Sequence, residues 1–186
     1  MDNATLETLA HGIQRCRSCR LWENRTHAVP GDGGFKRRVV LLGEAPGEKE
    51  DEFGLSFRGR TGRFLDEFLG QNGFDRDDFF ITPAVKCRPP KNRDPKKDEL
   101  DICRDKWLDA QLVALDPAML LLAGKAAVRQ TLGLDESLST INGRLFAYRE
   151  IPALVTYHPT AMMRFPKIRE AAAKNLSSLR NELETL

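Results

Sequence analysis

The stretch from Gly43 to Gly59 holds the residue types most able to do chemistry on a flat ligand. Gly43, Gly47, Gly54 and Gly59 let the backbone turn tightly and approach a ring, and Pro46 stiffens the turn. Carboxylates at Glu44, Glu48, Glu50 and Asp51 would repel a phosphate, and neither a Walker A nor a GxGxxG spacing is present. What the loop does offer is backbone groups, a few carboxylates and the aromatic Phe57, which suits an uncharged planar ring. A second candidate is His158, followed by Pro159 just after an apolar run, where a histidine could face a ligand.

The four cysteines form the other constellation. Cys16-x2-Cys19 is a chelating pair, and Cys87 and Cys103 are the remaining thiols of the chain. Four thiolates with none to spare fit one tetrathiolate site, either structural zinc or an iron–sulfur cluster. A thioredoxin-type pair would follow a strand, whereas this one follows an N-terminal helical pattern. The fifteen residues between Cys87 and Cys103 are unlike a second tight zinc pair and lean toward a cluster.

These residues need a scaffold, and the apolar periodicity supplies one. Arg38–Leu42, Asp78–Thr82, Pro117–Ala123 and Ile151–Tyr157 have the short, β-branched or continuously apolar character of buried strands. Helices are expected over residues 4–15 (Leu6, Leu9, Ile13), from near Thr61 (Phe64, Leu65, Phe68, Leu69), after Asp94-Pro95 (Leu100, Cys103, Trp107, Leu108, Leu112), over 125–132 and over 171–183. Asp94 is the expected cap of the third of these, with Pro95 in its first turn. Residues 141–150 form a turn or hairpin. Alternating strands and helices imply an α/β fold, a three-layer αβα arrangement around a mostly parallel four-stranded sheet. The glycine-rich loop then sits at the carboxyl end of the first strand, where such sheets bind ligands.

At 186 residues the chain is expected to be a single domain covering 1–186. A net charge of +2 means that a polyanion must be met by a local patch. No secretory pattern opens the sequence, and the most apolar run, Ala118–Gly124, is too short to cross a bilayer. A soluble, cytoplasmic protein with no membrane partner is expected, so the thiols are not read as disulfides.

Four blocks, taken together and in order, resemble the iron–sulfur uracil-DNA glycosylases of family 4. They are Cys16-x2-Cys19; Gly43-Glu44-Ala45-Pro46-Gly47-x2-Glu50-Asp51-x2-Gly54-x2-Phe57-x-Gly59; Val85-Lys86-Cys87-Arg88-Pro89-Pro90-x-Asn92-Arg93-x-Pro95 with Cys103; and His158-Pro159-Thr160-Ala161-x2-Arg164. The resemblance implies the uracil-DNA glycosylase fold and a [4Fe-4S] cluster on Cys16, Cys19, Cys87 and Cys103, with zinc as the alternative occupant. It also implies a DNA repair enzyme, a monofunctional glycosylase acting as a monomer on single- or double-stranded DNA. A damaged base would be flipped out of the stack and hydrolysed off without a covalent intermediate. Phe57 would stack on that base. Backbone groups of Glu44, Ala45 and Pro46 would line the pocket, and the Glu44 carboxylate would orient water or offset charge on the sugar. His158 would donate toward the base oxygen that gains charge. Met162 or Met163 would wedge into the duplex.

Phosphate contacts are expected from Lys86, Arg88, Lys91 and Arg93, helped by Arg58 and Arg164. One position departs from the family. Where its pattern has asparagine after the second strand, this chain has Ile81-Thr82-Pro83, and proline has neither the amide that would read uracil nor a backbone donor. Ser56 and Arg58 also replace the family's usual proline and valine. The glycosylase class is therefore expected more firmly than uracil itself. The competing expectation is a non-catalytic iron–sulfur nucleic-acid-binding protein that lost excision along with the amide.

Overall fold

A computed structural model describes residues 2–185. Its strands are β1 (Asp32–Gly33), β2 (Val39–Gly43), β3 (Phe79–Pro83), β4 (Met119–Ala123), β5 (Leu145–Tyr148) and β6 (Ile151–Thr156). They form one sheet in the order β1-β3-β2-β4-β6-β5. The four strands expected from the sequence are β2, β3, β4 and β6, all parallel. The sheet is nevertheless six-stranded rather than four-stranded, because an antiparallel strand closes each edge. At one edge β1 is two residues long and pairs Asp32 with Ile81 and Gly33 with Phe80. A strand that short inside a glycine-rich loop leaves no periodicity to read. At the other edge β5 folds back from β6 through Arg149 and Glu150, both at φ near +50°. That is the backbone of a tight hairpin turn, built here without the Asn-Gly signature that usually announces one.

The helices are α1 (Asn3–Gln14), α2 (Glu48–Phe53), α3 (Arg60–Gln71), α4 (Lys97–Cys103), α5 (Asp109–Leu115), α6 (Lys125–Leu132), α7 (Leu138–Ile141), α8 (Pro159–Arg164) and α9 (Pro166–Thr185). Alternation along the strands sorts them into two layers. Val40, Leu42, Leu120, Leu122, Ala153 and Val155 face Ile13 of α1, Leu100 of α4, Leu112 and Leu115 of α5 and Ala127 of α6. The intervening positions Val39, Leu41, Met119, Leu121 and Leu154 face Leu65 and Phe68 of α3, Met162 of α8 and Leu176 and Leu179 of α9. The result is the expected αβα sandwich. The parallel strands are buried on both faces, which is why they read as continuous apolar runs.

Two helix starts differ from expectation. α4 begins after Lys96, not at Pro95, because the Glu99 carboxylate accepts the Lys96 N–H at 2.8 Å and both Arg93 guanidinium nitrogens at 2.6 and 2.8 Å. α9 begins at Pro166, five residues early, and its first turn is largely exposed, with Ile168 partly buried against the core. Because β2 has β3 on one side and β4 on the other, the chain reverses its winding there. The crevice at the carboxyl ends of these strands is where Gly43, Pro83 and the segment after Thr156 converge.

Candidate functional site

A cavity of about 130 Å³ opens at that crevice, and Glu44, Ala45, Pro46, Phe57, Pro83 and His158 all line it. The segment after β2, the end of β3 and the turn after β6 therefore bring together the residues singled out from separate stretches of sequence. The Phe57 and His158 rings lie 5.7 Å apart, centroid to centroid, at 31°. Thr61 and Thr160 also reach the wall, with Glu50 and the buried Ser56.

Phe57 sits at φ +49°, a left-handed conformation that a bulky residue rarely adopts. The fold imposes it from two sides. Glu50 accepts the backbone N–H groups of Arg58 at 2.7 Å and Gly59 at 3.0 Å through one oxygen, and that of Gly47 at 3.1 Å through the other. One carboxylate thus ties both ends of the loop together, which settles Glu50 as a brace. Asp51 is a second brace, buried and accepting the Thr26 N–H. On the far side, a Cβ on Gly62 would lie 1.7 Å from the Phe57 carbonyl oxygen, so only glycine lets α3 pass beneath the aromatic.

His158 caps α8: its Nδ1 accepts the Thr160 N–H at 3.3 Å. An amide can only donate, so Nδ1 carries the lone pair and the neutral ring has its proton on Nε2. Burial pulls the imidazole pKa down to about 4, against the opposing pull of Glu50. The ring is therefore neutral across the ordinary pH range. Glu44 also lines the cavity, where burial, aided by the negative charge of Asp94, raises its carboxyl above the usual value.

The cysteines converge about a second, narrower void bordered by Cys16, Cys19, Cys87 and Cys103. Polar hydrogens point at the sulfurs: Arg25 Nη1 lies 2.9 Å from Cys87 Sγ, Trp107 Nε1 3.2 Å from Cys16 Sγ, and the Lys86 amide 3.4 Å from Cys103 Sγ. Burial pushes the Cys103 thiol up to about 12 and raises Cys19 and Cys87 as well. At Cys16 burial is outweighed by hydrogen bonds from Ser18 and Trp107, which leave the thiol below its usual value. Sulfurs this buried ionise only with a positive centre beside them. Trp107, expected only to pack, also donates, and Arg25 carried no signal of its role in spacing or composition.

The basic residues divide. Lys86 does not contact solvent: it is 1% exposed, and its Nζ donates to Thr82 Oγ1 at 2.5 Å and to the Pro83 carbonyl at 2.9 Å. Burial draws its pKa down to about 8 against the pull of Cys103 and Cys87. The expected phosphate contact by Lys86 is thus incompatible with its position. Arg93, half-buried, is paired with Glu99 at 2.6 Å. Arg88 is half-buried on Asn92 Oδ1, and Arg58, Lys91 and Arg164 are exposed. Met162 is 3% exposed inside the α3–α9 layer and cannot leave it to enter a duplex, whereas Met163 is half-buried. The large exposed side chain beside them is Phe165, 55% exposed at the end of α8. The sequence signal for it was an aromatic between two helix ends, at Arg164-Phe165-Pro166.

Residues 30–182 match the family model described as "Uracil DNA glycosylase superfamily". A type-4 uracil-DNA glycosylase of Pyrobaculum aerophilum is 37% identical over 92% of this chain and 91% of its own length. Those of Sulfurisphaera tokodaii and Saccharolobus solfataricus are 35% and 34% identical, over 95% and 100% of this chain and 84% and 88% of theirs. With this extent of likeness, and with one cavity and one ring of thiols where the four blocks fall, the chain belongs to the uracil DNA glycosylase superfamily and to its type-4 family.

Proposed function

We propose that this protein removes uracil, or a related deaminated base, from DNA and leaves an abasic site. The observation that carries this reading is that Phe57, Glu44 and His158, from two distant stretches, border one cavity of a size for a single ring. The flipped base stacks on Phe57 between Pro46 and Pro83. Water adds to C1′ of the sugar as the bond from C1′ to the base nitrogen breaks, and the bonding electrons leave with the base. His158 donates Nε2–H to the base oxygen on which that charge collects. Glu44 holds the water and takes its proton, or offsets the positive charge of the sugar. Arg58, Arg88, Lys91 and Arg164 supply the phosphate contacts, and Met163 or Phe165 fills the gap left by the flipped nucleotide. The chain acts as one domain and as a monomer; among the described residues no helix is long and apolar enough to cross a membrane.

Cys16, Cys19, Cys87 and Cys103 fit a [4Fe-4S] cluster better than zinc. The four thiols border one void, N–H groups of Arg25, Trp107 and the Lys86 backbone are directed at three of the sulfurs, and the fifteen residues between Cys87 and Cys103 are unlike the second tight pair of a zinc ribbon. When bound, the group crosslinks the segment after α1 to the Cys87 loop and α4.

An oligonucleotide carrying one uracil, treated with the protein and then alkali, is expected to break at the uracil. Intact strands at protein excess, for uracil and hypoxanthine alike, would overturn the reading. DNA binding without any product would favour the non-catalytic alternative, which draws its support from Pro83 in the pocket wall.

Three variants test the parts. Pro83→Asn restores a side-chain amide beside the base and is expected to raise kcat/KM for uracil about tenfold, the worth of one buried hydrogen bond; an unchanged rate in a folded, loaded variant would count against the argument. Gly62→Ala must push the Phe57 backbone aside and is expected to lower kcat/KM on the order of 100-fold while circular dichroism stays native. Phe165→Ala is expected to slow excision several-fold in duplex and hardly at all in single strands, since only the duplex has a gap to fill; equal losses in both would assign Phe165 another role.

A further inference from the structure

Lys86 lines the thiol-bordered void and is hydrogen-bonded to Pro83 in the wall of the base cavity. Its backbone N–H faces Cys103 Sγ, its neighbour in sequence is Cys87, and its ammonium reaches the strand end that walls the base cavity. A wholly buried ammonium needs a counter-charge, yet its hydrogen bonds go to the uncharged Thr82 and Pro83 and no carboxylate pairs with it among the described residues; Lys86 instead lines the void that the four thiols border. The wall it holds is also unusual. Pro83 pairs with Gly43 at the end of the parallel ladder but has no N–H to donate; the Ala84 N–H donates to the Gly43 carbonyl at 3.1 Å, and Lys86 adds a second hold on the same peptide by donating to the Pro83 carbonyl at 2.9 Å. Thr82, the second acceptor, is itself anchored by donating to the Pro30 carbonyl at 2.8 Å.

Resting on the iron–sulfur reading above, we propose that Lys86 is a positioning residue coupling the two sites. Its charge balances the thiolate-bound centre, and its two hydrogen bonds hold the Pro83 wall against the base. Loss of the centre leaves the ammonium uncompensated and frees the wall, so a change at the cysteines is felt as a change in base affinity.

The test begins with iron and sulfide content of the wild type; their absence overturns the iron–sulfur reading itself. On loaded protein, two quantities are then followed: the reduction potential of the centre, and affinity for an oligonucleotide carrying 2′-fluoro-deoxyuridine, whose glycosidic bond resists cleavage. Lys86→Met, similar in length but uncharged, is expected to lower the potential and weaken binding about tenfold. Thr82→Val keeps the charge but removes one anchor, and is expected to weaken binding several-fold with the potential unchanged. If Lys86→Met loads and neither quantity moves, or only one does, the coupling is refuted. If that variant does not load, Thr82→Val decides: weaker binding at wild-type potential supports the coupling, and wild-type binding overturns it.

Discussion

His158→Ser is expected to lower the single-turnover rate of uracil excision by about 10²–10³-fold, the usual effect of removing one preorganised donor from a developing oxyanion. Serine is chosen because His158 has two jobs. Its Nδ1 caps α8 by accepting the Thr160 N–H, and a serine hydroxyl can keep that cap. What serine cannot do is reach the base in place of Nε2–H. The loss should therefore fall on the chemical step, with binding of the uncleavable fluoro-uridine oligonucleotide nearly unchanged. A fall of less than tenfold, or a loss of binding equal to the loss of rate, would remove His158 from the transition state. The same residue shapes stability. Its pKa falls from 6.5 to about 4 on folding, so the unfolded chain binds more protons between those values. Stability is complete above about 6.5 and declines as pH falls toward 4, by roughly 3 kcal/mol at the 1.36 kcal/mol that each pKa unit represents. In His158→Ser that share of the acid sensitivity should vanish from thermal melts.

The sequence displayed the central strands and the pocket loop because both are local signals. Val39–Leu42 and Met119–Ala123 are buried on both faces, and burial on both faces needs an unbroken apolar run. The cavity was legible for a related reason: Gly43 ends one strand, His158 follows another and Phe57 lies in the glycine-rich segment between the first of these and α3, and parallel strands gather their carboxyl ends on one edge. Long-range pairing left no such mark. Lys86 looked like one more cation in a basic loop, and only its contacts with Thr82 and Pro83, with two sulfurs nearby, take it out of solvent. Arg93 looked the same until Glu99 turned to meet it. Met162 and Met163 were indistinguishable on a six-residue helix whose buried face is set by the neighbouring α9. Edge strand β1 depends on its partner for its existence, so its own residues did not announce it, whereas β5 falls within the turn or hairpin expected over 141–150.

The Glu44 carboxylate should set the acid limb of the reaction. Glu44 acts only when ionised, and burial with Asp94 nearby raises its pKa above the ordinary 4.5. Excision should therefore fall as pH drops through that raised value, while His158, neutral down to about 4, stays competent. Glu44→Gln is expected to lose about 10²–10⁴-fold at neutral pH, the range for a positioned acid–base group, and its residual rate should be flat where the wild type declines. Asp94→Asn should move the wild-type midpoint downward, since it removes the like charge that opposes ionisation. Acid unfolding is the rival explanation, and the linkage signs separate the two. A carboxyl raised on folding favours the folded state as pH falls, so Glu44 itself cannot cause acid unfolding; the depressed imidazole can. If the limb is chemical, Glu44→Gln abolishes it while the dependence of Tm on pH keeps its wild-type direction. If the limb persists in Glu44→Gln and tracks Tm, Glu44 is not the titrating group and its role in handling water is lost with it.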